Sequence, residues 1–301
     1  MEGSFIVIGG RKSRVCRVRW KAQLRIPGAG ATMGDLKKKR ALLKDIVLLA
    51  EEAGDAILSV YSKSDFGTRF KDDNSPLTEA DLAAHHLILE GLKRLTPEIP
   101  ALSEESKTVS LEKRLSWPRY WLIDPLDGTK EFIKRSDEFT VNIALIDEGI
   151  STMGVVHAPA LGLSYFAARG TGAFKKTQHG EAFPISVCDY RRGPLKIAAS
   201  RSHGKEALAR FLQKIGPHEL VEVGSSLKFC LVAEGTVALY PRFGRTMEWD
   251  TAAADCIVVE AGGSVTDMQG EPLRYNKTDL ENPDFLVRGN PPMPLEKYFE
   301  P

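Results

Sequence analysis

The most informative stretch of this sequence is Trp121-Leu122-Ile123-Asp124-Pro125-Leu126-Asp127-Gly128-Thr129-Lys130-Glu131-Phe132. An apolar, strand-like run ends here in two carboxylates, which are separated by a proline that fixes φ and followed by a glycine that permits a tight reversal. Such a turn can direct Asp124, Asp127 and the carbonyl of Leu126 toward one point, and hard cations such as Mg²⁺ prefer oxygen ligands. A plain strand-end turn uses the same residue types, so the stretch alone leaves both interpretations open.

Three more acidic segments lie along the chain, and each has a simple structural explanation when it is taken alone. Ser75–Asp81 fits a helix capping box, Leu102–Ser106 fits a solvated loop, and Glu248–Thr251 puts Asp250 where a helix N-cap would stand. Helix capping and loop chemistry do not explain the order and the spacing of all four segments together.

Taken together, the four segments resemble the lithium-sensitive, magnesium-dependent phosphatases of the inositol monophosphatase superfamily, over about residues 40–290. The superfamily motif D-P-x-D-G-T corresponds to Asp124–Thr129, the E-E-S element before it to Glu104–Ser106, and the W-D-x-A-A element after it to Trp249–Ala253. The resemblance implies an α/β (α+β) fold, the layered αβαβα sandwich of the inositol monophosphatase/fructose-bisphosphatase type. It also implies an active site between an N-terminal α+β half and a C-terminal α/β half.

Four shorter segments indicate one branch of that superfamily. They resemble the CysQ-type 3′(2′),5′-bisphosphate nucleotidases and comprise Lys71–Thr78, Asp127–Phe132, Ser200–His203 and Gly224–Cys230. Inositol monophosphatases usually carry a second Thr and an Asn where Lys130 and Glu131 stand here. The resemblance therefore implies an enzyme that hydrolyses adenosine 3′,5′-bisphosphate to AMP and phosphate, clearing a by-product of sulfate assimilation.

The same resemblance implies the residues that bind metal and activate water. The ligands of two or three Mg²⁺ ions are expected to be Glu104, Asp124 (bridging two ions), the carbonyl of Leu126, Asp127 and Asp250. Asp81 and Thr129 match the catalytic pair in which a carboxylate polarises a Thr hydroxyl that orients the attacking water. We expect direct, in-line attack on phosphorus, without a phosphoenzyme.

Further residues are implied to contact the substrate, beside the metal ligands Glu104, Leu126, Asp127 and Asp250. Backbone N–H groups of Gly128 and Thr129 would hold the phosphate. The groups for the far side of the nucleotide are Ser225, Lys228 and Arg242, with His203 against the base. Solvated surface charge is the alternative interpretation of the Lys and the Arg, since most such side chains are exposed.

Hydrophobic periodicity predicts how the chain is organised. It predicts a helix over about residues 35–62 and a second helix after Pro76, with Thr78 as N-cap and an inner face of Leu82, His85, Leu89 and Leu92. Strand-like runs then indicate an antiparallel-rich sheet: Tyr120–Ile123, Val141–Ile146, Met153–His157, Leu163–Ala167 and Ala173–Lys175. After Pro184 helices and strands alternate, which favours a mixed sheet. We expect a leader at 1–32, an N-terminal half at 33–188 with the metal site, and a C-terminal half at 189–301 with the nucleotide groups.

Composition and charge limit the classes of function. Of the 301 residues 43% are hydrophobic, and 41 Lys plus Arg stand against 40 Asp plus Glu, which excludes disorder and a chain-wide attraction to nucleic acid. Residues 1–32 carry net +6 and the remainder net −5. We expect the leader to be a disordered tail or an extension upstream of a start at Met33; an Arg-rich targeting segment is the alternative. The four cysteines form no C-x-x-C pair, as expected in a reducing compartment.

These observations predict a cytoplasmic enzyme, monomeric or homodimeric, that acts on a small-molecule nucleotide and not on nucleic acid. Peripheral attachment to the cytoplasmic face of the inner membrane through the basic leader is a second option. Two other functions remain as alternatives. One is an inositol-1-phosphate or fructose-1,6-bisphosphate phosphatase on the same scaffold, and the other is a non-catalytic nucleotide-binding protein.

Overall fold

The computed structural model describes residues 33–63, 65–70, 76–106, 109–189, 191, 194–201 and 205–290. The helices in these ranges are α1 (Met33–Tyr61), α2 (Glu79–Leu95), α3 (Leu111–Leu115), α4 (Thr129–Ile133), α5 (Lys205–Ile215), α6 (Leu227–Ala233) and α7 (Glu248–Glu260). The first two helices confirm the periodicity prediction to within a few residues. The expected leader, residues 1–32, lies outside the described residues, as do His203 and part of the Lys71–Thr78 segment.

The strands form two sheets and a short ribbon. They are β1 (Arg69–Phe70), β2 (Pro76–Leu77), β3 (Ala101–Ser103), β4 (Arg119–Asp127), β5 (Thr140–Asp147), β6 (Ile150–Ala158), β7 (Leu163–Ala168), β8 (Gly172–Thr177), β9 (Phe183–Ile185), β10 (Lys196–Ala199), β11 (Glu219–Glu222), β12 (Leu239–Arg242), β13 (Ser264–Asp267) and β14 (Phe285–Arg288). A seven-stranded sheet runs from β3 to β9 in chain order, and only its β3–β4 pair is parallel among the described strands. The second sheet has the order β11-β10-β12-β14-β13 and is mixed, as predicted.

The elements stack as five layers. Alternate residues of β4, such as Trp121 and Ile123, face α1 and α2, while Tyr120 and Leu122 face the opposite side in a core shared with α6 and α7. The other side of that helix layer meets the five-stranded sheet through Tyr240 and its neighbours. Helix α5 covers the outer face of the same sheet. The expected αβαβα order is therefore confirmed, whereas the division into halves at residue 188 stays a prediction.

The inner face of α2 differs from the predicted one. Its buried residues are Ala80, Asp81, Ala84, His85, Ile88, Gly91 and Leu92, while Leu82 and Leu89 are only partly buried. Close packing against α1 is the cause, because a Cβ atom at Gly91 would lie 2.3 Å from Leu49 Cδ1. The face of α2 that touches α1 therefore carries small residues. A prediction based on large apolar side chains places the buried face at the wrong residues.

Candidate active site

The motif Asp124–Thr129 forms an irregular end to strand β4. Asp124 pairs with Asn142 on β5, but the next partner pair is Asp127 with Thr140, so the register shifts between them. The Leu126 N–H donates to Asp124 Oδ1 at 3.0 Å. Gly128 follows with φ of +91° and precedes α4, a conformation that a side chain would strain. Together, the bulge and Gly128 direct the carboxylates of Asp124 and Asp127 away from the sheet and into one cavity.

Three carboxylates meet in that cavity. Asp124, Asp127 and Asp250 each offer a carboxylate oxygen, and these oxygens lie within 4.8 Å of one another. Burial raises the pKa of Asp124 and Asp250 well above the ordinary value and that of Asp127 to about 6, and the neighbouring carboxylates add to each shift. Of the three, Asp124 is buried and the other two are partly exposed to the cavity. Carboxylates this close together favour a bound cation, and an all-oxygen set suits a hard one.

Glu104 lies beside this cluster. Its N–H donates to the Ile123 carbonyl at 3.0 Å, so the end of β3 is fixed against β4. The residue lines the same cavity, and its charge is among those that raise the pKa of Asp124 and Asp250. It does not belong to the group of three within 4.8 Å, so the geometry places it next to the cluster. The carbonyl oxygen of Leu126, the fifth expected ligand, lies 3.3 Å from Thr129 Oγ1, which is at the same distance from Asp81 Oδ1.

The predicted catalytic pair is in contact. Thr129 Oγ1 donates to Asp81 Oδ1 at 3.3 Å. The second oxygen of Asp81 caps α2, because Oδ2 accepts from the Thr78 N–H at 2.7 Å and from the Thr78 hydroxyl at 2.6 Å. The expected capping box and the expected contact with Thr129 are therefore both present in one carboxylate.

Two buried cations line the same cavity, whose volume is about 870 Å³. Lys228 and Arg242 are 6% and 7% exposed, which excludes the solvated-surface interpretation for both. Burial lowers the pKa of Lys228 to about 8, although the nearby Asp127 opposes that shift. Lys228 Nζ donates to the carbonyls of Val223 and Ser225. Arg242 donates through Nη2 to the Arg245 carbonyl, and its buried Nε has no partner among the described residues.

The segment 223–226 contacts both Asp127 and Lys228. Ser225 has φ of +49°, and the N–H of Ser226 donates to Asp127 Oδ2 at 2.6 Å. The Ser226 hydroxyl contacts Thr140 Oγ1 and Asn142 Oδ1, both at 2.8 Å. This polar contact set was not predicted from the sequence. A weak signal was present, because Thr140 and Asn142 alternate with apolar residues at the start of a strand that is otherwise buried on both faces.

Among the predicted site residues, the structure brings together all that it describes. The cavity is lined by Glu104, Asp124, Leu126, Asp127, Gly128, Thr129, Ser225, Lys228, Arg242 and Asp250. Asp81 reaches the cavity through Thr129. The capping interpretation of Asp250 is wrong in one detail, because the N-cap of α7 is Met247 and Asp250 is the third residue of the helix.

The comparison with family models agrees with this geometry. The model of the inositol monophosphatase family matches residues 38–293. This chain belongs to the inositol monophosphatase family. Members of the family are metal-dependent, and the carboxylate cluster at Asp124, Asp127 and Asp250 could hold the metal.

Individual relatives narrow the comparison within the family. The Salmonella typhimurium protein named 3′(2′),5′-bisphosphate nucleotidase CysQ is 51% identical over 248 residues, which are 82% of this chain and 99% of that protein. The Escherichia coli K12 protein of the same name is 50% identical over 252 residues, with the same two coverages. The crystal structure of CysQ from Bacteroides thetaiotaomicron, a bacterial member of the family, is 43% identical with a TM-score of 0.73, covering 83% of this chain and 97% of that one.

The helices also bear on membrane insertion. In the part of the chain that the structure describes, none of them has the length and apolar character needed to cross a bilayer.

Proposed function

We propose that this member of the inositol monophosphatase family is a 3′(2′),5′-bisphosphate nucleotidase, which hydrolyses adenosine 3′,5′-bisphosphate to AMP and phosphate. The observation that carries the proposal is one cavity that is lined both by the carboxylates Asp124, Asp127 and Asp250 and by the buried cations Lys228 and Arg242. A substrate with two phosphates can place one at the carboxylate cluster and the other at the two cations. Relatives that are 50% and 51% identical carry the same activity in their names, which supports the assignment.

The metal site would hold two or three Mg²⁺ ions on Glu104, Asp124, the Leu126 carbonyl, Asp127 and Asp250. Bound there, the metal supplies charge neutralisation of the phosphoryl oxygens and of the leaving oxygen. The residues fit this role because they present oxygen atoms only and because closely spaced carboxylates repel one another without a cation.

Asp81 and Thr129 would orient the attacking water. Asp81 Oδ1 accepts the hydroxyl proton of Thr129, so the lone pairs of Thr129 Oγ1 remain available to accept a hydrogen bond from water. Because the other Asp81 oxygen is fixed by the Thr78 N–H at the start of α2, the hydroxyl is held in one orientation. The water would attack phosphorus in line and give up one proton, the bond from phosphorus to the 3′-oxygen would break, and that oxygen would take up one proton, so that no net proton is consumed.

The far side of the substrate would lie against Ser225, Lys228 and Arg242. The buried Nε of Arg242 has no partner among the described residues, and a phosphate oxygen would satisfy it. The Lys228 ammonium already donates to two carbonyls, so its third N–H remains for the substrate. The N–H groups of Gly128 and Thr129 would hold the scissile phosphate, and His203 would lie near the base. We propose the cytoplasm as the location and a monomer or homodimer as the assembly.

Three substrates assayed in parallel with Mg²⁺ test the proposal: adenosine 3′,5′-bisphosphate, inositol 1-phosphate and fructose 1,6-bisphosphate. We expect the first to have the highest kcat/KM, and preference for either of the others would contradict the proposal. Asp124→Asn should abolish Mg²⁺-dependent turnover. Tight nucleotide binding by the wild-type protein without phosphate release would favour a non-catalytic nucleotide-binding protein instead.

Variants of Lys228 test its proposed part in specificity. Lys228→Ala should reduce kcat/KM for the bisphosphate more than for inositol 1-phosphate, because the second phosphate loses a cation. Lys134→Ala, an exposed lysine after α4, is the matched control and should change neither value. Equal losses on both substrates in Lys228→Ala would contradict the proposed role.

A further inference from the structure

Glu138 connects the seven-stranded sheet to the segment 223–226. It lies just before β5, and both of its carboxylate oxygens accept hydrogen bonds. Oε2 accepts from the Gly224 N–H at 2.8 Å and from Arg201 Nη1 at 2.5 Å, while Oε1 accepts from Arg201 Nη2 at 2.9 Å. The pair is therefore bidentate, the geometry in which a guanidinium holds a carboxylate most strongly.

Arg201, the partner of Glu138 in this ion pair, is itself held in place by the five-stranded sheet. It follows β10 by two residues, and its Nη2 also donates to the Glu222 carbonyl at 3.1 Å, at the end of the parallel neighbour β11. The Glu138 side chain is 18% exposed and that of Arg201 is 45% exposed. One guanidinium thus links the carboxyl ends of two strands of the five-stranded sheet to a residue that precedes β5 of the seven-stranded sheet.

The contact at Gly224 is too close for any side chain. A Cβ atom there would lie 2.9 Å from the Glu138 carbonyl oxygen and 2.8 Å from Glu131 Cγ. The segment 223–226 therefore packs closely against Glu131 and Glu138, which follow the Asp124–Thr129 turn. The hydrogen bond from the Gly224 N–H to Glu138 fixes the position of the segment.

This segment carries groups that face the nucleotide side of the cavity. Ser225 lines the cavity, and Lys228 Nζ is held by the carbonyls of Val223 and Ser225, at 3.2 and 2.6 Å. A shift of the segment would move the ammonium group with it. The N–H of Ser226 is anchored separately on Asp127, so the metal side has its own attachment.

We propose that Glu138 and Arg201 are positioning residues that set the affinity for the part of the substrate beyond the scissile phosphate. They touch no reacting atom; they hold the segment 223–226 so that Ser225 and Lys228 meet the second phosphate. This role rests on the proposed bisphosphate activity. It adds the contact that keeps the groups for the second phosphate in place and so maintains the specificity of the enzyme.

Steady-state kinetics and binding of AMP by calorimetry, both with Mg²⁺, test this role in Arg201→Met and Glu138→Gln. We expect KM for adenosine 3′,5′-bisphosphate and the Kd for AMP to rise about 5- to 20-fold, with kcat within about twofold, because a bidentate charged pair is lost. The double variant should be no worse than about the larger single effect, since both changes break one contact. Lys196→Met is the matched control: it removes the ion pair with Glu219 between the same two strands at their other ends, and KM should not change.

The outcomes separate the inference from the proposed function. No turnover of the bisphosphate by wild-type protein contradicts the proposed function, whereas AMP binding still compares the variants. Unchanged KM and Kd in Arg201→Met and Glu138→Gln overturn the positioning role. A fall in kcat and in melting temperature with unchanged KM also overturns it, because the pair would then only stabilise the fold. If Lys196→Met raised KM as much as Arg201→Met does, the effect would come from any loss of contact between β10 and β11. That result would also overturn the positioning role.

Discussion

Two helix starts at the cavity use the same device and serve different chemistry. Asp81 is the third residue of α2, and its Oδ2 accepts from the Thr78 N–H at 2.7 Å. Asp250 is the third residue of α7, and its Oδ2 accepts from the Met247 N–H at 2.9 Å. Asp81 then meets a hydroxyl, that of Thr129, whereas Asp250 meets the carboxylates of Asp124 and Asp127.

Helix capping therefore fixes the orientation of a carboxylate but does not determine its role. An acid in the first turn of a helix is stabilised by the helix dipole and by the free N–H groups, so its orientation costs little. What the acid does depends on its neighbour, since a hydroxyl makes it a hydrogen-bond acceptor and two carboxylates make it part of a cation site. Substitutions at each helix start can show whether the two roles are separate.

The largest effect is expected for Asp250→Asn. Removing one charge from the cluster should lower kcat/KM at least about 10³-fold, since metal stabilisation of the transition state is worth several kcal/mol. The Mg²⁺ concentration for half-maximal activity should rise. Metal-free protein in EDTA should melt at a higher temperature than wild type, because repulsion with Asp124 and Asp127 is relieved. A lower melting temperature in EDTA would contradict the idea that the three acids repel one another.

Asp81→Asn should lower kcat about 100-fold or more, the usual range for a lost acid–base contact, with the Mg²⁺ requirement changed less than about threefold. Asn can still accept from the Thr78 N–H, so the melting temperature should stay close to that of wild type. Thr129→Val should show a similar loss, and the double variant should lose no more than either single one, because the two act as a unit. A large rise in Mg²⁺ requirement would mean that the two helix starts share one role.

The same contrast explains what the sequence could predict. The capping box at Thr78 and the turn at Asp124–Thr129 are local, since their residues lie within a few positions of one another. Periodicity located α1 and α2, and motif order identified the family. These features depend on backbone geometry over short separations, and that geometry is encoded in residue type.

Contacts between distant segments were not predictable in this way. Glu138 and Gly224 are 86 residues apart, and neither has a motif of its own beyond the short Gly224–Cys230 segment. Strand β14 (Phe285–Arg288) lies between β12 and β13 in the sheet, and the alternation of helices and strands along the chain does not predict this order. The buried face of α2 was shifted because Gly91 faces Leu49, a packing fact that no single-sequence pattern contains.

Asp255 can be compared with Asp81 and Asp250, because it is an acid of α7 that takes part in neither site. It lies further along the helix than Asp250 and is buried outside the carboxylate cluster. Tyr275 Oη donates to its Oδ2 at 2.8 Å, yet burial raises its pKa to about 6. The native state therefore binds this proton more tightly than the unfolded state, so the stability contributed by the protonated form is present at pH 4 and is lost as the pH rises through about 6. Asp255→Asn cannot titrate, and its free energy of unfolding relative to wild type should increase by about 2–3 kcal/mol between pH 4 and pH 7. Denaturant unfolding of metal-free protein measures this difference, and a constant value across that range would contradict the prediction.

The smallest effect is expected for the cap itself. Thr78 Oγ1 accepts from the Ala80 N–H at 3.2 Å and donates to Asp81 Oδ2, whereas the N-cap of α7 is Met247, whose side chain has no hydroxyl. Thr78→Ala should lower the free energy of unfolding by about 1 kcal/mol, the usual cost of an N-cap, and Thr78→Ser should restore it. Because the Thr78 N–H still holds Asp81 in both variants, kcat should change less than about threefold, which is small compared with the loss in Asp81→Asn. A fall in kcat as large as that of Asp81→Asn would show that the cap hydroxyl, and not the backbone N–H, fixes the catalytic carboxylate.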